Sequence, residues 1–218
     1  MMQDNSSLGS YIDRNKQAFF LGSLMALFMG DLFFPEAIQP WVIRVLFVQN
    51  MIFGLLVVRE KPKWLRQWVA FLLVVAVVRV LALLYDPLFP GQEAVGFGLS
   101  IFYFNTILIV LFVDLYRAKS LGMESIYAVF SGFILLCLAF SFIMMYIHGL
   151  DPQALTGIDP PGTFSEYLYF SFITMLTIGY GDISPVTEIA RKAVLVAALV
   201  GHFYTVFITA LIIGRLFR

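Results

Sequence analysis

Cysteine and charge are the scarce commodities in this 218-residue chain: it has one cysteine, Cys137, and only 13% charged residues. A lone cysteine excludes a disulfide framework and a cysteine-built zinc site. Soluble domains carry about 25% charged residues. The low charged fraction, with 61% hydrophobic residues, excludes an ordinary soluble domain and intrinsic disorder. Excess charge of one sign is also missing, since 14 Lys and Arg balance 14 Asp and Glu. That balance argues against a nucleic-acid binder. There is no internal repeat and no low-complexity tract. No small-residue cleavage site follows the first apolar run, which carries Asp31, so that run reads as a retained helix and not a signal peptide.

Long apolar runs are what the chain does have. A helical membrane span needs about 20 mostly apolar residues. The pattern predicts spans over 18–34, 41–58, 68–85, 95–116, 125–148 and 188–214, preceded by a polar stretch at 1–17. Pro35 and Pro40, then Pro87, Pro90 and Gly91, then Pro160-Pro161-Gly162 mark the turns. Between the last two spans, 164–176 is apolar and aromatic but too short to cross. Thr163 with Glu166 matches a capping box, so a short helix should begin there. A Gly-rich strip follows at 177–182. The pair reads as a re-entrant segment, which survives in a membrane only where protein or water shields its backbone.

The placement of the charges gives the orientation. With six crossings, Arg14, Lys16, Arg59, Lys61, Lys63, Arg66, Arg117, Lys119, Arg215 and Arg218 share one side. The opposite loops at 35–40, 86–94 and 149–163 have no Lys or Arg. Both termini are therefore expected in the cytoplasm of a multi-pass cell-membrane protein. Nine of the 14 acids fall on the outer side: Asp31, Glu36, Asp86, Glu93, Asp151, Asp159, Glu166, Asp182 and Glu188. The neutral total thus resolves into two opposed layers.

The strip reads Thr177-Ile178-Gly179-Tyr180-Gly181-Asp182. Backbone carbonyls aimed at one axis can replace the hydration shell of a cation. Glycine at 179 and 181 permits the unusual backbone angles such a strip needs. Thr177 can add a hydroxyl on the cavity side, and Tyr180 can turn outward as a lateral brace.

This strip closely resembles the signature of the potassium channel family. The resemblance covers about residues 125–214 and extends to the linker Ile183-Ser184-Pro185-Val186-Thr187 and to Gly201, where many members carry an inner-helix hinge glycine. It implies an all-α membrane protein of six transmembrane helices, a re-entrant pore helix and a filter, assembled as a homotetramer in the lipid. Potassium ions would sit at Thr177, Ile178, Gly179 and Tyr180, with no cofactor beyond the permeant ion. The corresponding domains are a cytoplasmic N-terminus at 1–17, a peripheral four-helix domain at 18–116, a linker at 117–124 and a pore domain at 125–218. One strip cannot surround an ion, so geometry also asks for several copies about an axis. The pore helix would point its partly negative C-terminal end at the cavity.

Several positions depart from the family pattern. Leu176 replaces a common threonine. Ile173 stands where some members have an acid bonded to the filter aspartate, which leaves Tyr169 as a candidate partner for Asp182. Ser184 replaces an aromatic residue, so external tetraethylammonium should block weakly for want of a cation–π contact. Span four has no Lys or Arg. Steep voltage sensing takes about three to four gating charges per subunit, so the chain resembles the voltage-gated type without its arginine-bearing fourth helix. A leak-like or filter-gated channel is expected, with no regulatory domain after span six.

His202, Thr205 and Thr209 share one face of span six and are expected to line the cavity, interhelical hydrogen bonding being the alternative. His202 is also a candidate pH sensor. Arg44 and Arg79 lie in spans two and three, where Asp31 is a plausible intramembrane partner. Asp114 should pair with Arg117 or Arg66. Asn50 and Asn105 should bond between helices. His148 and Cys137 have no partner visible in the sequence. An intramembrane protease is the enzyme alternative, but Ser23 and Ser131 each touch one glycine without the Gly-x-Ser-Gly context. A non-conducting subunit assembling with other channels is the interaction alternative.

Overall fold

The computed structural model describes all residues except 1–3, 31–32, 36, 86–91, 119–121 and 217–218. Among the described residues, seven helices and two very short strands follow in order. They are α1 (Asp4–Met29), α2 (Gln39–Val57), α3 (Lys63–Tyr85), α4 (Gln92–Arg117), α5 (Met123–Leu150), β1 (Leu155–Thr156), α6 (Phe164–Met175), β2 (Ser184–Pro185) and α7 (Glu188–Leu216). Among the described residues, α2, α3, α4, α5 and α7 are long and apolar enough to cross a membrane. The chain is an all-α membrane protein.

The expected first span differs. α1 starts at Asp4, within the stretch read as polar, and ends at Met29. Its apolar part begins only at Ala18. Twelve residues at 1.5 Å each make about 18 Å, short of the ~30 Å hydrocarbon core. The rest of that expected span includes residues 31–32, outside the described residues.

The chain divides into two compact units, Met1–Gln92 with Ile109–Ser131, and Glu93–Leu108 with Gly132–Arg218. In the first, α1, α2 and α3 pack in sequence. Pro40 lies in the first turn of α2, where a missing N–H costs nothing. Phe20, Leu24 and Leu27 of α1 and Met51 of α2 are buried. Amid these apolar side chains the Asn50 amide donates to Ser23 Oγ at 2.7 Å, and Ser23 donates to the Phe20 carbonyl. This is the interhelical bond expected of Asn50, and it satisfies two polar groups that lipid would leave stranded. Asn105 does otherwise. It is exposed and donates to Ile101 of its own helix, four residues back. Asp114 pairs with Lys61 from the α2–α3 turn, not with Arg66 or Arg117. The turn 58–62 brings a third cation that spacing along one helix does not reveal. In the same turn Glu60 meets Lys16 at 2.5 Å, and this hydrogen bond holds its carboxyl below the ordinary glutamate range. The Arg44 guanidinium lies 4.7 Å above the Trp41 ring, an attraction between cation and ring quadrupole. Arg79 is half-buried on α3, and Asp31 lies outside the described residues.

In the second unit, the core joins Phe140 and Met144 of α5 to Leu155, to Phe170 of α6, and to Ala190 and Ala197 of α7. Small residues on α7 let it lie close to this core. The two strands pair antiparallel, Leu155 opposite Pro185 and Thr156 opposite Ser184.

Candidate functional site

The short helix α6 begins as its sequence dictates. Thr163 Oγ1 accepts the Glu166 backbone N–H at 3.4 Å, and the Glu166 carboxylate accepts the Thr163 N–H at 2.6 Å. This reciprocal cap satisfies amides that would otherwise be orphaned at the helix start. The end of α6 is equally defined. The Ile173 carbonyl accepts the N–H groups of both Ile178 at 2.8 Å and Gly179 at 3.1 Å. Position 173, which lacks an acid side chain, therefore anchors the strip through its backbone.

Beyond α6, φ is positive at Thr177 (+58°), Gly179 (+57°) and Gly181 (+81°), and negative at Ile178 and Tyr180. The hand of the backbone alternates residue by residue. Alternation of this kind can bring successive carbonyls to one side, which neither helix nor strand does. Thr177 is the informative position, because a β-branched residue at positive φ is strained.

All six residues from Thr177 to Asp182 are exposed in the single chain. A Cβ added at Gly179 or Gly181 would meet open space. These glycines are thus required by backbone angle and not by crowding within the chain. At the far end, the Tyr169 hydroxyl donates to Asp182 at 2.6 Å. That bond is the main reason the Asp182 carboxyl lies below its ordinary range, and it pushes the Tyr169 hydroxyl up to about 12. Ser184 donates to the Gly181 carbonyl at 3.3 Å.

Gly201 on α7 is buried, and a Cβ there would stand 3.2 Å from Met175 Cβ and Cγ. Its lack of a side chain lets α7 approach the base of α6. His202, Thr205 and Thr209 are all exposed in the single chain. Thr205 donates to the Gly201 carbonyl at 3.0 Å, and Thr209 to the Thr205 carbonyl at 2.8 Å. Both hydroxyls are satisfied within their own helix. Leu176 follows the last residue of α6 and is half exposed.

Two residues without a partner in the sequence acquire one. Cys137 lies 3.7 Å from the Met175 sulfur. His148 is buried between Tyr167 and Pro152. Pro152 lies only four residues beyond His148, whereas Tyr167 reaches it from α6, a contact that no local pattern announces.

Residues 130–218 match a family model described as an ion channel. A 63-residue stretch is 36% identical to potassium channel K2 of Plasmodium berghei (strain Anka). That alignment covers 28% of this chain and 4% of the Plasmodium protein, so the chain spans a small fraction of that relative's length. No solved structure matches the chain. The two matches say what this part of the chain is similar to: an ion channel over residues 130–218, and a potassium channel over a 63-residue stretch.

Proposed function

We propose that four copies of this chain form a potassium-selective channel in the cell membrane, conducting K+ passively. The carbonyls of Thr177, Ile178, Gly179 and Tyr180 replace the ion's water, joined by the Thr177 hydroxyl. Gly181 and Asp182 complete the strip on the outer side, and His202, Thr205 and Thr209 line the vestibule below. The observation that carries this reading is the alternation of φ through Thr177, Gly179 and Gly181, on a strip the single chain leaves exposed. A lone strip has carbonyls on one side of an ion only, and a ring of four supplies the cage.

Residues 18–116 form the peripheral domain in this reading, and α4 brings no basic residue before Arg117. Steep voltage dependence then lacks its charges. Gating falls to the filter or to the α7 bundle near Gly201, and both termini lie in the cytoplasm. Reconstitution of the purified chain with recording under K+ and Na+ gradients tests the reading. Potassium-selective, barium-blocked current with a shallow voltage response is the expected outcome. Silence from a confirmed tetramer favours the modulatory-subunit alternative.

A further inference from the structure

The strip is held at two levels by different partners. Its inner half is fixed to α6, where the Ile173 carbonyl accepts the N–H groups of Ile178 and Gly179. Its outer end meets α6 through Tyr169 and Asp182. That end also meets a second element, the loop 151–163. β1 of this loop pairs with β2 just past Asp182, Thr156 opposite Ser184. The Val186 N–H donates to the Ala154 carbonyl at 2.9 Å. Ser184, on the paired strand, in turn donates to the Gly181 carbonyl at 3.3 Å. The loop is a strap whose hydrogen bonds run through β2 to the last glycine of the strip.

Gly157 brings the strap closest. Its φ of +86° favours glycine. A Cβ there would stand 2.0 Å from the Asp182 carbonyl oxygen, 3.0 Å from the Asp182 carbonyl carbon and 3.1 Å from Ile183 Cα. All three atoms are backbone, so no change of rotamer relieves the clash. Carbon and a non-bonded carbonyl oxygen approach to about 3.3 Å, so main chain on one side must retreat by more than about 1 Å.

The surroundings decide which side retreats. Ala154, Leu155 and Ile158 of the strap are buried in the core with Phe140 and Phe170. Gly181 and Asp182 are exposed, and a Cβ at Gly181 would meet open space. Close-packed interiors resist displacement, so the strap stands and the filter end yields. Moving Asp182 turns the peptide planes on either side of Gly181, and with them the Tyr180 and Gly181 carbonyls.

We propose that Gly157 is a positioning residue for ion selection. It touches no ion. By letting the strap lie against the Asp182 carbonyl, it fixes the outer carbonyls of the strip, and discrimination of K+ from Na+ depends on their number and placement. This deepens the channel reading above and rests on it.

The test is planar-bilayer recording of the reconstituted full chain with K+ on one side and Na+ on the other, beside native mass spectrometry of the same preparations. Gly157→Ala should still assemble and conduct. Its K+ over Na+ permeability ratio should fall roughly ten- to a hundredfold, the scale of a ~1 Å misplacement of positioned groups. The reversal potential then moves towards zero with the tetramer intact, which a mere loss of folded protein does not produce. Gly157→Asn should do the same, because asparagine accepts positive φ but still carries a Cβ. Wild-type selectivity in either variant overturns the inference. If neither variant assembles, Ser184→Ala decides. It removes the last link between strap and strip without adding an atom, and should lower the ratio several-fold, the scale of one hydrogen bond. An unchanged ratio there overturns the inference. A wild type without K+-selective current contradicts the channel reading itself, which separates the two failures.

Discussion

At Gly179 and Gly181 the backbone takes φ of +57° and +81°, a hand that a residue bearing a Cβ adopts at a cost of about 1–2 kcal/mol. Gly179→Ala has open space for its methyl within the single chain, so within that chain the backbone angle alone resists it. The variant should keep its helical content and lose K+ current, and circular dichroism beside ion flux separates the two. The Tyr169–Asp182 bond makes a second prediction. Asp182 is held below its ordinary range, so the stability from this link is fully present above the ordinary aspartate range and is lost as pH falls through the lowered value. Tyr169→Phe removes the largest cause of that lowering. Acid loss of current should then begin at higher pH than with Tyr169 present. An unchanged acid limb in the flux–pH profile would detach Tyr169 from the filter.

At the scale of elements, α6 and α7 meet through a glycine. Gly201→Ala sets a methyl 3.2 Å from Met175, and overpacking of this kind costs about 1–3 kcal/mol. A lower thermal midpoint in detergent and a shift in open probability are the expected outcomes. An increased midpoint with unchanged gating would show that the two helices do not depend on this approach. Much of this layer was legible in the sequence. Apolar runs announced α2, α3, α4, α5 and α7 to within a few residues, because length and hydropathy suffice where lipid is the solvent. Thr163 and Glu166 announced α6, because a capping box is a local device. Tyr169 was legible as the partner of Asp182. The rest needed tertiary placement. Lys61 reaches Asp114 from a turn, and His148 meets Tyr167 only when α6 packs against α5. α1 begins at Asp4, earlier than the apolar run announced.

For the molecule as a whole, several surfaces are costly to leave exposed on a single chain. The strip, the face of α7 with His202, Thr205 and Thr209, and large apolar residues such as Leu195 and Phe203 are all exposed. Apolar exposure of this extent marks a surface meant for lipid or for other copies. Native mass spectrometry of the detergent-solubilised chain should find four copies. A monomer or dimer as the dominant species would leave the strip without its ring.

The carbonyl cage is tested most directly by the reversal potential of the reconstituted wild-type chain with K+ on one side of the bilayer and Na+ on the other. Four strips built on Thr177, Gly179 and Gly181 predict a reversal potential set by K+, and current that barium blocks. A reversal potential near zero, with K+ and Na+ permeating alike, would contradict it.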